Sequence, residues 1–309
     1  MNNIGASIVE RENLEINIER LAAQRELYAL GKTYFNLQLL LNLVIPVCLI
    51  TGSLVLAHFY TIKIDWIKAV YGFVVVSLDY LVITNYITQY RQKAALIQEV
   101  FDCDVLNIEW NKIHVGDKPL PEDVKKYSDK HKARVKDISN LKDWYATSIK
   151  EVSNNGAKVI CQRSNFTYDY ALRKRFITGV VTIAVGLVIA LLFFSTSKDM
   201  SMQSFFLFEI VPYAPILSMT QKLYKEHSDS IKTLESLKSA IQGTWASILK
   251  KEIVSEQTIR QIQDKIYSNR KSSPFIPDWF YKVSRPKLEQ QMYYSINQLV
   301  EEYKENTEG

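Results

Sequence analysis

The run 176–194, FITGVVTIAVGLVIALLFF, constrains this chain more than any other stretch. It holds no charge and no proline, and its only side-chain hydrogen-bonding groups are Thr178 and Thr182. About 20 apolar residues at ~1.5 Å of rise each are enough to cross ~30 Å of hydrocarbon. A core helix of a water-soluble domain would keep a polar face, and this run has none. Arg173, Lys174 and Arg175 precede it directly, and Lys198 and Asp199 follow after a short polar step. The run predicts a membrane span, and the chain reads as an integral membrane protein.

Three further stretches qualify. The first, 34–60, centres on LLLNLVIPVCLITGSLVLA, where Pro46 interrupts the backbone ladder and Asn42 sits one turn earlier. Proline is tolerated in lipid where neighbouring groups satisfy the carbonyl it frees. The second, 67–89, carries Asp79 about 18 Å along its helix from Ile67, past the middle of a bilayer. The last, 203–221, holds Glu209, Pro212 and Pro215 and could be kinked or re-entrant rather than fully spanning. The predicted fold class is an all-α integral membrane protein. Its four transmembrane helices form two hairpins (about 36–58 with 67–89, and 176–195 with 203–221). Gly179, Thr182, Gly186 and Ala190 recur at steps of three and four, giving the third span a small-residue side suited to close contact with another helix.

With a mean hydropathy of only −0.09 over 309 residues, most of the chain must lie in water. The expected aqueous segments are an amphipathic N-terminal helix (1–33), a middle region (91–175) and C-terminal helices (222–309). The N-terminal segment suits a helix packed on the rest of the domain, or one lying on the inner leaflet. In the middle region, 102–111 has the mixed pattern of an extended piece, and LKDWYATSIKEV (141–152) that of a helix. Asn154-Asn155-Gly156 resembles a helix stop. Pro119 and Pro121, followed by Glu122 and Asp123, mark a helix start. Leu234, Leu237, Ile241, Trp245 and Ile248 form a stripe on a long helix, suited to a core or to helix pairing. Helices are also expected at 255–270 and 287–303. Basic residues near the spans, from Arg20 and Arg25 to Lys222 and Lys225, fall on one side, with Lys63, Lys68 and Lys198 opposite. The positive-inside rule then places both termini and the middle region in the cytosol.

Catalytic chemistry is not evident. The three cysteines and four histidines are scattered, without metal-ligand spacing, and no phosphate loop or nucleophile motif occurs. No enzyme activity, metal or cofactor is expected, no DNA or RNA partner, and no cleaved leader. The residues that need an explanation are Asp79 and Glu209, because a carboxylate inside a span costs at least ~2.5 kcal/mol. They suit a polar path, or, respectively, a packing carboxyl and a side chain reaching the outer interface.

Several short motifs then occur in order. AQRELYALGK opens the series, followed by the WN of Trp110 and Asn111 and by LKDWY at 141–145. CQRSN at 161–165, Asp169 and LRKR at 172–175 come next. QDKIYSNRKSSPFIPDWFY, Glu289 and Met292 close it. Together they resemble the S-4TM family of pore-forming effectors. The resemblance implies a bacterial anti-phage effector of the inner membrane, encoded beside a nucleotidyltransferase that makes a cyclic nucleotide on infection. It implies a homo-oligomer in the lipid bilayer that permeabilises the membrane and aborts infection. Rival readings are a constitutive small-ion channel or transporter using Asp79, a non-conducting membrane scaffold, and a membrane enzyme. If a cyclic oligonucleotide is the trigger, arginines and aromatics suit its phosphates and bases. Trp144, Tyr145, Arg163, Asn165 and Arg173 are the ligand-binding candidates, with Arg163 the leading phosphate contact. The same residues would equally suit a core between cytosolic helices.

Overall fold

The computed structural model describes residues 4–60, 65–196 and 210–308. Every regular element among them is helical. In chain order they are α1 (Ile4–Glu12), α2 (Glu15–Leu39), α3 (Ile45–Tyr60), α4 (Asp65–Leu78), α5 (Thr84–Leu106), α6 (Lys112–Val115), α7 (Pro121–Arg134), α8 (Asn154–Thr196), α9 (Ala214–Leu249), α10 (Glu256–Ser272) and α11 (Asp278–Glu308). One π-helical turn, Leu40–Val44, joins α2 to α3, and another, Asp79–Ile83, joins α4 to α5. Among the described residues, two helical stretches are long and apolar enough to cross a membrane, Glu15–Ser53 and Trp66–Leu106. The charge-free run 176–194 lies wholly within α8. Residues 203–209 of the fourth stretch, Glu209 among them, lie outside the described residues, as do Lys63 and Lys198.

The chain forms two compact units: residues 1–30, 90–174 and 229–309, and residues 31–89 and 175–228. Helices α2, α5, α8 and α9 each have residues in both.

In the first unit the apolar side of α2 goes into a core. Ile18, Leu21 and Ala22 pack with Phe101, Val105, Ile160 and Ile259. The stripe on α9 belongs to the same core, since Leu234, Leu237, Ile241, Trp245 and Ile248 are all buried in it. Glu26 is also buried, against Arg134 and His131, rather than facing solvent as its place on the helical wheel suggests. Helix α7 begins with Pro121 at its first turn and with Glu122 and Asp123 beside the positive end of the helix dipole.

Three local expectations change. Residues 102–106 continue α5 instead of extending, because Val105 and Leu106 bury on the helical period. The stretch 141–152 is not an α-helix: one 3₁₀ turn, Ser139–Leu141, ends at its first residue, and a second, Thr147–Glu151, lies near its end. Long-range partners replace its helical ladder: the Asp143 N–H donates to Asn13 Oδ1 at 3.1 Å and the Tyr145 N–H to Glu12 Oε2 at 2.9 Å. Asn154-Asn155-Gly156 starts α8 rather than ending a helix. Ser153 Oγ accepts the Gly156 N–H at 3.3 Å, capping the new helix, and a Cβ on Gly156 would lie 2.5 Å from Val152 Cγ1.

The second unit inverts the usual order of polar and apolar. Gln38, Asn42, Ser53 and Lys68 are buried, whereas Phe73, Tyr80, Leu81, Ile183 and Phe193 are each more than 60% exposed. In water that arrangement would be unfavourable twice over. In hydrocarbon both halves are favourable. Lys68 is buried and donates to Ser53 Oγ at 3.0 Å. Pro46 has no N–H, and in a π turn its missing bond would have gone to the Leu41 carbonyl. The Tyr71 hydroxyl donates to that oxygen at 2.8 Å.

Candidate functional site

Asp79 is the first residue of the π turn between α4 and α5, and Asn42 is the middle residue of the one between α2 and α3. In each, the backbone bond spans five residues, from Ile45 N–H to Leu40 O and from Thr84 N–H to Asp79 O. Such turns insert an extra residue and re-aim neighbouring side chains, and they concentrate at functional positions.

Here they bring polar groups together. Gln38 Nε2 donates to Asp79 Oδ1 at 2.5 Å, and Asn42 Nδ2 reaches Asp79 Oδ2 at 3.5 Å. The Thr84 hydroxyl donates to Asp79 Oδ1 at 3.1 Å. Thr84 in turn accepts from Lys222 Nζ of α9 at 2.6 Å, and that amine lies 3.9 Å from Asp79 Oδ1. The Asp79 side chain is 13% exposed. A carboxylate placed in a span at a cost of several kcal/mol thereby meets a cation and three neutral donors. Hydrogen bonds to an ionised group contribute roughly 1.5–3 kcal/mol each, enough together to offset that cost. Of these partners only Asn42 stands out in the sequence, where Lys222 is one of the basic residues that mark topology. Its signal is its place immediately after the fourth apolar stretch.

Among the described residues the small-residue side of α8 meets little: a Cβ built on Gly179 or Gly186 finds nothing within 4 Å, and Thr182, Gly186 and Ala190 are exposed.

The five ligand-binding candidates fall in the first unit. Trp144 is half-buried, with the Arg25 guanidinium 5.5 Å from its ring centroid. Tyr145 is buried, and its hydroxyl reaches Asp102 Oδ1 at 3.3 Å. Arg163 is half-buried and donates to Ser295 Oγ at 3.1 Å; burial holds its pKa below the usual arginine value, with Glu302 opposing. Arg173 is buried, paired with Asp169 at 2.8 Å and donating to the Pro274 carbonyl at 2.9 Å. Asn165 lies in α8, and its side chain is outside those described.

Beneath Tyr145 lies a network that sequence reasoning missed. Glu99 and Asp102 of α5 are both buried, and Gln263 of α10 donates to both, at 2.8 and 2.9 Å. Arg260 pairs with Glu99 at 2.5 Å, and Arg270 pairs with Asp102. Burial, and then the nearby Asp102 charge, raise the Glu99 pKa. Arg260 also pairs with Asp264 at 2.9 Å, and the network ties α5 to α10. The i, i+3 spacing of Glu99 and Asp102 within an apolar helical stretch was its only trace in the sequence. Among the described residues no group of His, Cys, Asp and Glu could hold a metal ion.

A family model for the SMODS-associating 4TM effector domain matches residues 6–299. A probable CBASS effector molecule of Bacillus cereus (strain VD146) is 30% identical over 291 residues, covering 92% of this chain and 95% of that protein. No solved structure matches the chain significantly. The inverted second unit, its apolar helices and a match over nearly the whole length agree on one assignment: the chain belongs to the SMODS-associating 4TM effector family.

Proposed function

We propose that the protein is a membrane effector of bacterial anti-phage defence that opens or forms a pore in the inner membrane in response to a cyclic (oligo)nucleotide. Loss of the membrane barrier then aborts infection. Family membership and the likeness to a probable CBASS effector support the defence role. The observation that carries the pore is Asp79, held with Lys222, Gln38, Asn42 and Thr84 where two π turns adjoin. A carboxylate neutralised by an amine suits a closed path, and opening would separate the pair and free the charge for cations. In this reading four spans cross the bilayer, both termini and the middle region face the cytosol, and several copies surround the path. A pore lethal to its host must rest closed. Shifting it from about 1:99 to 99:1 open takes roughly 5.5 kcal/mol of differential binding. The nucleotide would supply this through Arg163, with Trp144, Tyr145, Asn165 and Arg173 around it.

The test is ion and dye release from liposomes holding the full-length protein, with and without a panel of cyclic nucleotides, for wild type and Asp79→Asn. Release that needs one nucleotide and falls in the variant is the expected result. Nucleotide-independent release would favour a constitutive channel, and no release under any condition a scaffold. Arg163→Ala, followed by ligand binding in detergent, tests the sensor separately: binding should be lost while the protein stays assembled.

A further inference from the structure

The segment from the last turn of α10 to the start of α11 touches all four helices that have residues in both units. It does so, within the first unit, where each helix adjoins the second. Arg91 of α5, two residues past Gln89, donates from Nε to the Lys271 carbonyl at 3.1 Å and from Nη1 to the Ser273 carbonyl at 3.3 Å. Arg173 of α8, two residues before Arg175, donates to the Pro274 carbonyl at 2.9 Å. Tyr28 of α2, three residues before Gly31, meets Phe275 edge-on with ring centroids 6.0 Å apart. Ser230 of α9, two residues past Ser228, bonds Asn269 Oδ1 at 3.0 Å and Ser273 Oγ at 2.8 Å. Residues 269–275 therefore touch each of these four helices within two or three residues, along the chain, of its passage into the second unit.

Immediately beyond, the surface changes character. Residues 273–277 are buried, and then α11 opens with Trp279 67% exposed and Val283 80% exposed. These two are four apart and so share a side of the helix. Between residues 271 and 283 the exposed charged side chains are Lys271 at the end of α10, Lys282 beside this pair, and one acid, Asp278. A tryptophan with an aliphatic neighbour and flanking lysines is the composition that settles at headgroup depth, the ring in the boundary and the amines among phosphates.

We infer that the Trp279–Val283 side of α11 is a lipid-interface contact, resting on the anionic headgroups of the membrane that the apolar helices enter. The contact would fix the base of α11, and with it the segment gripping all four helices. It requires only that the protein be a membrane protein and is independent of whether that protein conducts.

The full-length protein in nanodiscs rich in phosphatidylglycerol provides the test. Cys48 is exposed while Cys103 and Cys161 are buried, so Cys48→Ser gives a background for labelling. A spin label is placed at Val283→Cys, with Ile253→Cys as the aqueous reference, since Ile253 is almost fully exposed and away from this segment in sequence. Phe73→Cys provides the apolar reference. Relaxation by oxygen should exceed that by a water-soluble nickel chelate at positions 283 and 73, with the reverse at 253. The 283 label should become shallower in phosphatidylcholine alone, and equally so in the Lys271→Gln, Lys282→Gln variant. A label at 283 reading as aqueous as that at 253 would overturn the inference. So would one shielded from both reagents and spin-coupled to a second copy, because that face would then be a protein contact.

Discussion

Lys222 Nζ stands 3.9 Å from Asp79 Oδ1, with the Thr84 hydroxyl linking the two. The lysine comes from α9 and the aspartate from the π turn that ends α4, 143 residues apart in the chain. If they act as one unit, Asp79→Asn and Lys222→Gln should not be additive. Each single variant leaves a charge without its counter-ion, and the double variant leaves neither. A double-mutant cycle on thermal unfolding in detergent should give a coupling of about 1 kcal/mol or more. Additive losses would mean that amine and carboxylate are stabilised independently.

The Tyr71 hydroxyl serves a carbonyl that Pro46 leaves without a helical donor. Tyr71→Phe should therefore cost about 1 kcal/mol. The loss should shrink in a Pro46→Ala background, where the restored N–H can take over. An equal loss in both backgrounds would detach the bond from the proline.

Glu12 is buried under the Tyr145 turn, and burial pushes its pKa up to about 7, against a usual value of 4.5. The unfolded chain loses this proton near pH 4.5, whereas the folded protein keeps it until about pH 7. Between those values the folded state binds more protons, so stability falls as pH rises and then levels off. Glu12→Gln retains an acceptor for the Tyr145 N–H without the charge. It should stabilise the protein by about 1–2 kcal/mol at pH 8 and have little effect near pH 4. Unfolding curves across that range would show it, and an equal gain at both ends would point to packing instead.

Among the described residues, no atom lies within 4 Å of a Cβ added to Gly186. Gly186→Leu should then leave the folded protomer and its insertion intact. If the small-residue side of α8 meets another copy, the leucine should hold the helices apart. The assembled species would be lost from native gels and from crosslinking. Unchanged assembly would assign that side to lipid.

Much of this protein was legible as periodicity. The run 176–194 has no polar side to offer, so a helix satisfying its own backbone was the only structure open to it, and it lies within α8. The α9 stripe repeats at helical spacing and is core throughout, because burial on one side of a helix imposes that spacing. Pro121 and the acids after it marked the start of α7 through local geometry and charge.

Contacts between distant residues left no such trace. The stretch 141–152 has a helical pattern, yet Glu12 and Asn13 take its backbone donors, and that competition is decided more than a hundred residues away. A π turn adds one residue to a ladder without any signature in composition, so the meeting of Asn42 with Asp79 could not be read. Nor could the choice of Lys222 as the partner of Asp79. Sequence alone established that a carboxylate within an apolar stretch needed compensation. Only the tertiary structure decided which amine supplied it, because Coulomb attraction depends on the separation in space of two groups and not on their separation along the chain.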